Sequence, residues 1–399
     1  MNHVAAMNHV ALVIPGMDRL AGAELQVLQL ARGLHRRQWR VTVIAMSGSG
    51  GDAGAGLIAD GLGFLTLGMR KGLADPAGWI KLHRWIQRQK PDVLHAHLPH
   101  AAWMVRWSRL FAPVRVVCDT VHSSRGTIGR QLGYRFSNWL TDAESAVSEG
   151  AANACLSVRM VSADRLVVIP NGVDTGRWKP LPPKAWAAGK DVRFKDKFLW
   201  LAAGRLEPVK NYPALLDAFA ELPETAHLII AGTGPMEAEL RGQCADLDVE
   251  SRVDFLGFER NLLSWMQKAD ALVLSSLWEG LPMVLLEAGA CGLPAVATDV
   301  AGSREVLVHG ETGLLARTGS ATDLAAAMMT MMRMDPKDRR DLGLRARERV
   351  GTRFSLETVL DRWDAFYREL LHDRPLRSRV RRGTERRINS TIAASSDAA

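Results

Sequence analysis

Short, mostly apolar runs of four to six residues recur along the chain, among them Val10–Ile14, Val41–Ala45, Val93–Ala96, Val114–Cys118 and Leu166–Ile169 in the first half. Phe198–Ala203, Leu228–Ala231, Val253–Leu256, Ala271–Leu274 and Pro294–Ala297 continue the series. Runs this short, bounded by polar or glycine-bearing loops, have the length and flanks of buried strands. Between them the spacing changes to that of helices. Leu25, Leu28, Ala31 and Leu34 share one side of a segment, and Trp79–Gln89, Met283–Ala290, Leu324–Met334, Asp338–Val350 and Phe354–Leu371 follow the same rule. Gly48–Gly56 reads as a glycine-rich loop. Strand, helix and strand in alternation predict repeated βαβ units.

The stretch Asp270–Glu305 shows the unit most fully. A strand at Ala271–Leu274 leads into a loop with Glu279, Gly280, Leu281 and Pro282, and Pro282 suits the first helical position because it has no N–H to leave unpaired. The helix stops at Cys291-Gly292, and Pro294–Ala297 forms the next strand. Ligands of such units sit beyond the carboxyl ends of the strands, where helix N–H groups can receive phosphate oxygens. Glu279 on the loop and Glu287 in the helix, with seven residues between them, would both reach that crevice. Carboxylates accept hydrogen bonds from ligand hydroxyls, but the spacing alone fits two solvated glutamates as well. Upstream, the loop GRLEPVKNYPALLDAF carries Gly204, Arg205 and Lys210, with Asn211 placed to cap a helix ending near Phe219. Arg offers planar multiple donors and Lys a point charge, so the two beside a helix start suit a pyrophosphate. LIIAGTGP ends a further strand in a turn with Gly232 and Gly234, and Gly22 stands at the entrance of the first helix, where a missing side chain would let backbone approach a phosphate, although a single loop glycine is more commonly a plain turn residue.

Composition narrows the classes. At 399 residues and 47% hydrophobic, the chain suits two packed domains. No apolar run approaches the ~20 residues of a spanning helix, and MNHVAAMNHV lacks the charged-then-apolar order of an export signal, so a cytoplasmic location is expected. MNHVA occurs twice, which makes Met7 an alternative start. Cys118, Cys155, Cys244 and Cys291 have no metal-ligand spacing and read as reduced fillers. His95, His97 and His100 lack an accompanying carboxylate or cysteine, and a structural or acceptor-facing role suits them better than a metal. Asp246–Asp248 precedes a strand at a surface turn and is not read as a metal triplet. The net charge of +8 divides into +9 over residues 1–180, −5 over 181–372 and +4 over 373–399. A basic first half and tail are compatible with anionic lipid or a phosphorylated acceptor; nucleic acid ranks last because no recognition module accompanies the charge. Within residues 124–140, Arg125, Arg130 and Arg135 alternate with Leu132, Tyr134, Phe136 and Trp139. Both a membrane-facing segment and a buried helix with a solvated arginine face fit that pattern.

EGLPMVLLEA followed by GLPAVATDVAGSREVL resembles the donor-site motif of the retaining GT-B glycosyltransferases of family 4, and the resemblance extends from Met7 to Leu371. It implies an α/β fold of GT-B type: two facing Rossmann-like domains with an interdomain cleft. The expected boundaries are an acceptor domain at 1–175 closing on the turn Pro170–Asp174, a proline-rich linker at 176–196 and a donor domain at 197–353. A helix at 354–372 crosses back, and a basic tail at 373–399 is expected to be disordered, serving either as a membrane tether or as a solubilising end. The implied reaction moves a hexose or N-acetylhexosamine from a UDP- or GDP-sugar to a saccharide acceptor, preferably polyprenyl-diphosphate-linked, in cell-surface polysaccharide or lipopolysaccharide assembly. By resemblance, Arg205 and Lys210 stabilise the leaving diphosphate, Glu279 holds sugar hydroxyls, Glu287 holds the ribose, and His122 contacts the donor sugar. Gly204, Gly232, Gly234 and Gly280 give backbone access. The amides around Leu281, Met283, Val284 and Leu285 meet sugar and phosphates, Phe255–Phe258 faces the base, and Gly22 meets the diphosphate from the first domain. Where the family has two glycines before Ala-Glu, this chain has Ala21 and Gly22. No cofactor or metal is expected, and the inner face of the cytoplasmic membrane is a candidate location. A nucleotide-sugar epimerase of the same architecture and a non-catalytic scaffold are the alternatives.

Overall fold

The computed structural model describes residues 7–18, 20, 22–70, 75–112, 114–122, 128–181 and 192–372. Arg125, most of the expected linker and the basic tail lie outside them. The chain divides into two units: Met1–Val147, Ala152–Ile169 and Leu360–Ala399 form the first, and Ser148–Ala151 with Pro170–Val359 the second.

In the first unit, seven strands make one parallel sheet: β1 (His9–Ile14), β2 (Arg40–Ala45), β3 (Gly63–Thr66), β4 (Val93–His97), β5 (Val116–Val121), β6 (Ala143–Ala146) and β7 (Leu166–Val168). Their order is β3-β2-β1-β4-β5-β6-β7. The apolar runs are the strands because a parallel sheet is covered by helices on both faces. Two local expectations change. The run Val114–Cys118 starts too early and stops short. Asp119 and Thr120 interrupt its apolar character, yet both are buried in β5, Asp119 against Arg106 and Thr120 against His95 and Ser145. Gly48–Gly56 is a loop only in part, since a helix occupies Gly51–Ala59. The Asp18 carboxylate accepts from the Gly50 N–H at 2.8 Å and fixes the turn, and a side chain at Gly54 would meet the Phe64 ring at 2.7 Å.

Arg106, on the helix Pro99–Ser108, organises the far side of this sheet. Its guanidinium donates to both Asp119 oxygens, at 2.8 and 3.0 Å, to Glu144, and to the Tyr134 carbonyl and Ser137 hydroxyl of the helix Ile128–Ser137. Burial opposes its charge, but the two carboxylates outweigh burial and raise its pKa. Burial and the charge of Asp119 push Glu144 up, with Arg106 pulling the other way. The last helix, Leu356–His372, belongs to this unit from Leu360 onward. There the Trp39 indole donates to Asp364 at 2.6 Å, and the Tyr367 hydroxyl meets His95 Nδ1 at 2.6 Å. Gly33 admits the Leu360 methyl groups, which would lie 2.3 Å from a side-chain carbon at that position.

The second unit has six parallel strands: β8 (Phe198–Ala203), β9 (Ala226–Ala231), β10 (Val253–Gly257), β11 (Ala271–Leu274), β12 (Ala295–Thr298) and β13 (Leu314–Ala316). They are ordered β10-β9-β8-β11-β12-β13. One face packs on the helices Tyr212–Ala220 and Ala321–Arg333 through Leu215, Phe219, Leu324 and Met328, all buried. The turn Pro170–Asp174 and the start of the last helix pair with each other: Val173 donates to the Phe354 carbonyl at 2.9 Å and accepts from the Leu356 N–H at 2.8 Å. All four cysteines are free and buried. Among the described residues, no helix is long and apolar enough to cross a membrane.

Candidate active site

In the second sheet the strand order reverses between β8 and β11. At such a switch point the two loops leave their strands in opposite directions and open a crevice at the carboxyl ends. The loops here are Gly204–Asn211 after β8 and Ser275–Pro282 after β11, and they are tied together. Leu277 donates its N–H to the Val209 carbonyl at 2.8 Å, and the Ser275 hydroxyl donates to the Lys210 carbonyl at 2.7 Å. On that frame Lys210 Nζ donates to Glu279 Oε1 at 2.6 Å, with the two side chains only 18% and 13% exposed. Ser276 Oγ donates to the same Oε1 at 2.6 Å. Both bonds fall on Oε1.

The route by which the chain delivers Lys210 differs from expectation. Asn211 precedes the helix Tyr212–Ala220, but its side chain makes no cap; it takes a left-handed conformation at φ 51°. Asparagine tolerates that region, and the reversal follows a short 3-10 turn at Pro208–Lys210. Pro282 likewise stands one place before the helix Met283–Ala290 and accepts from Leu285 at 3.1 Å. The loop then lies so close to the next helix that a side chain at Gly302 would meet the Gly280 carbonyl at 2.7 Å.

The two predicted cations do not sit alike. Arg205 is largely exposed, and its guanidinium pairs with Glu207 at 2.6 Å rather than with the Lys210–Glu279 pair. Gly204, Gly232 and Gly234 serve close packing of the β8 and β9 loops. A side-chain carbon would fall 1.8 Å from the Gly204 carbonyl at Gly232, and 2.3 Å from the Leu206 carbonyl at Gly234. Glu287 is half-buried on the helix Met283–Ala290, and loss of hydration pushes its carboxyl up to about 8, with the charge of Arg177 acting the other way. Leu281, Val284 and Leu285 are buried, and Met283 is half-buried.

The remaining predicted residues belong to the first unit. Gly22 is the exposed first residue of the helix Gly22–Arg36. His122 follows β5, with Nε2 3.2 Å from His97 Nδ1. Burial, then the charge of Arg130, lowers its pKa to about 4. His95 faces Tyr367 and Thr120, and His97 is buried beside it.

Sequence reasoning missed Ser276 and Tyr212. Tyr212 donates to the Gly204 carbonyl at 3.2 Å, and burial followed by the charge of Glu279 raises its pKa. Ser276 carried one signal. It lies three residues before Glu279, a separation over which a hydroxyl in a tight loop can reach a carboxylate.

Comparison with known proteins places the chain among relatives. Residues 187–349 match the family model for glycosyl transferases group 1, and residues 20–177 match that for glycosyltransferase family 4. The N-acetyl-alpha-D-glucosaminyl L-malate synthase of Bacillus anthracis is 28% identical over 305 residues, 73% of this chain and 78% of that protein. The UDP-Gal:alpha-D-GlcNAc-diphosphoundecaprenol alpha-1,3-galactosyltransferase of Escherichia coli is 24% identical over 314 residues, 75% of this chain and 81% of its own length. The crystal structure of Anabaena Alr3699/HepE in complex with UDP superposes with a TM-score of 0.80 at 22% identity, covering 91% of this chain and 100% of that one.

Proposed function

For a chain that belongs to glycosyltransferase family 4, with the two Rossmann-like sheets of a GT-B enzyme, we propose retaining, metal-independent transfer of a hexose or N-acetylhexosamine from a UDP- or GDP-sugar to a lipid-linked saccharide. The observation that carries this reading is the Lys210–Glu279 pair at the switch point of the second sheet. Cleaving the glycosyl–phosphate bond puts charge on the departing diphosphate, and a cation already held in place stabilises that charge more in the transition state than in the ground state. Glu279 holds the cation, and Ser276 holds Glu279. In this reading Oε2 of Glu279 accepts a donor-sugar hydroxyl, the amides at the start of the helix Met283–Ala290 meet sugar and phosphate oxygens, and Glu287 takes the ribose. Arg205 swings from Glu207 to the diphosphate, a move its exposure permits. The acceptor hydroxyl attacks the anomeric carbon on the face the diphosphate leaves, and its proton passes to the departing phosphate oxygen. The donor and acceptor classes draw support from the UDP in the Anabaena structure and from the diphosphoundecaprenol in the name of the Escherichia coli relative.

The test is a panel of UDP- and GDP-sugars screened for thermal stabilisation, followed by transfer assays in EDTA with lipid-diphosphate saccharides. Lys210→Ala should lower turnover ten-fold or more, on the scale of about 2–4 kcal/mol for one transition-state donor. Undiminished transfer by that variant would remove Lys210 from the mechanism. Product analysis with and without acceptor separates transfer from epimerisation.

A further inference from the structure

The helix Ile128–Ser137 is held to the first sheet through Tyr134 and Ser137. Tyr134 and Ser137 are buried, and the Arg106 guanidinium binds the Tyr134 carbonyl and the Ser137 hydroxyl. Spacing of three and four residues puts Ile128, Leu132, Phe136 and Trp139 together on the opposite side, and Ile128, Phe136 and Trp139 are 76%, 73% and 56% exposed. The neighbouring helix Pro99–Ser108 extends the apolar surface. Its Trp103, half exposed, would touch a side chain at Gly133, and Phe111, 68% exposed, follows an Arg109 that donates to the Leu140 carbonyl. Soluble proteins rarely leave large aromatic groups gathered in this way without a partner for them.

The charge around these residues selects the partner. From Ile128 to Leu140 the sequence holds two arginines, Arg130 and Arg135, and no acid. Asp142, just beyond, is largely buried in its pair with Arg109, while Arg135 stands exposed between Tyr134 and Phe136. Aromatic and aliphatic side chains that enter the headgroup layer, with arginines beside them for phosphate, are the requirements of an interfacial helix. We propose that this surface of the first unit docks on an anionic lipid bilayer. The proposal rests on the first unit alone and stands or falls independently of the donor chemistry.

The full chain should co-sediment with vesicles of phosphatidylglycerol and phosphatidylcholine, and far less with phosphatidylcholine alone. Phe111→Ser with Phe136→Ser should weaken that binding ten-fold or more while leaving the thermal unfolding midpoint near wild type, since both rings are mostly outside the core. Arg135→Glu should weaken binding further, and rising salt should do the same. Three outcomes would overturn the proposal. One is a wild-type chain that ignores anionic vesicles; another is a double variant that binds them unchanged, which would move the binding to the basic tail. The third is a wild-type dimer that the double variant dissolves, which would make a second copy the occupant.

Discussion

Arg106 shows how much one side chain can decide. It is 1% exposed, it meets two carboxylates that are equally buried, and it also supplies donors to a helix carbonyl and a serine. A buried guanidinium is tolerated where its fork of donors is matched by acceptors in plane, and its removal leaves the acceptors without counter-charge. Arg106→Ala should therefore cost about 3–5 kcal/mol of stability, read as a lower urea midpoint. Lysine should fail to restore it, because a single ammonium cannot reach Asp119, Glu144 and the Tyr134 carbonyl at once. Nothing in PHAAWMVRWS distinguishes this arginine from a solvated one, and Asp119 and Glu144, which it binds, lie outside the apolar runs that read as strands. The same limit applies to the candidate site. Lys210 and Glu279 were legible because the motif around each is specific; the hydrogen bond between them was not, because 69 positions separate them and only the sheet order makes them neighbours.

The apolar runs located most of the strands, since a strand buried on both faces has little choice of residues, but β3 and β13 were not read as strands. Loops were harder. Ala-Gly-Thr-Gly reads as a ligand-binding turn, yet the structure uses the glycines to let two strand-end loops touch, with Leu206 donating to the Thr233 carbonyl at 3.0 Å and the Met236 N–H returning to Leu206 at 3.2 Å. Gly234→Ala places a carbon 2.3 Å from the Leu206 carbonyl, and backbone cannot yield as a flexible side chain can. The expected loss is about 1–3 kcal/mol, the usual range for overpacking, in the unfolding of the second unit. Because the β8 loop also carries Lys210, the variant should lose nucleotide-sugar protection as well. Retained stability together with retained protection would show that the two loops separate easily. The left-handed turn at Asn211, read from sequence as a side-chain cap, and the helix Gly51–Ala59 were missed for a related reason: a left-handed residue and a helix rich in glycine both run against local propensity, and tertiary packing overrides it.

Across the first unit, burial lowers the pKa of His9 to about 4, of His95 to about 3 and of His122 to about 4, with the charges of Arg40, His122 and Arg130 adding to it in turn. An unfolded histidine titrates near 6.5. Above that pH both states are neutral and the contribution of these histidines is fully present. As pH falls from about 6.5 toward 4, the unfolded chain binds protons that the folded unit refuses, and stability is lost. Urea midpoints for the first unit should therefore fall between pH 7.5 and pH 5; equal midpoints would mean that these histidines are accessible to water in the native state. The architecture legible from sequence was the repeated βαβ grammar and the family motif. The return of the last helix to the first unit rested on resemblance alone, since an amphipathic pattern does not say which surface it will cover. That return has a consequence for biosynthesis. Leu360–His372 leaves the ribosome after all of Pro170–Val359 has been made, so the second unit gathers its strands while the first still waits for the helix that meets Trp39 and His95. The half of the chain synthesised first is the last to be completed.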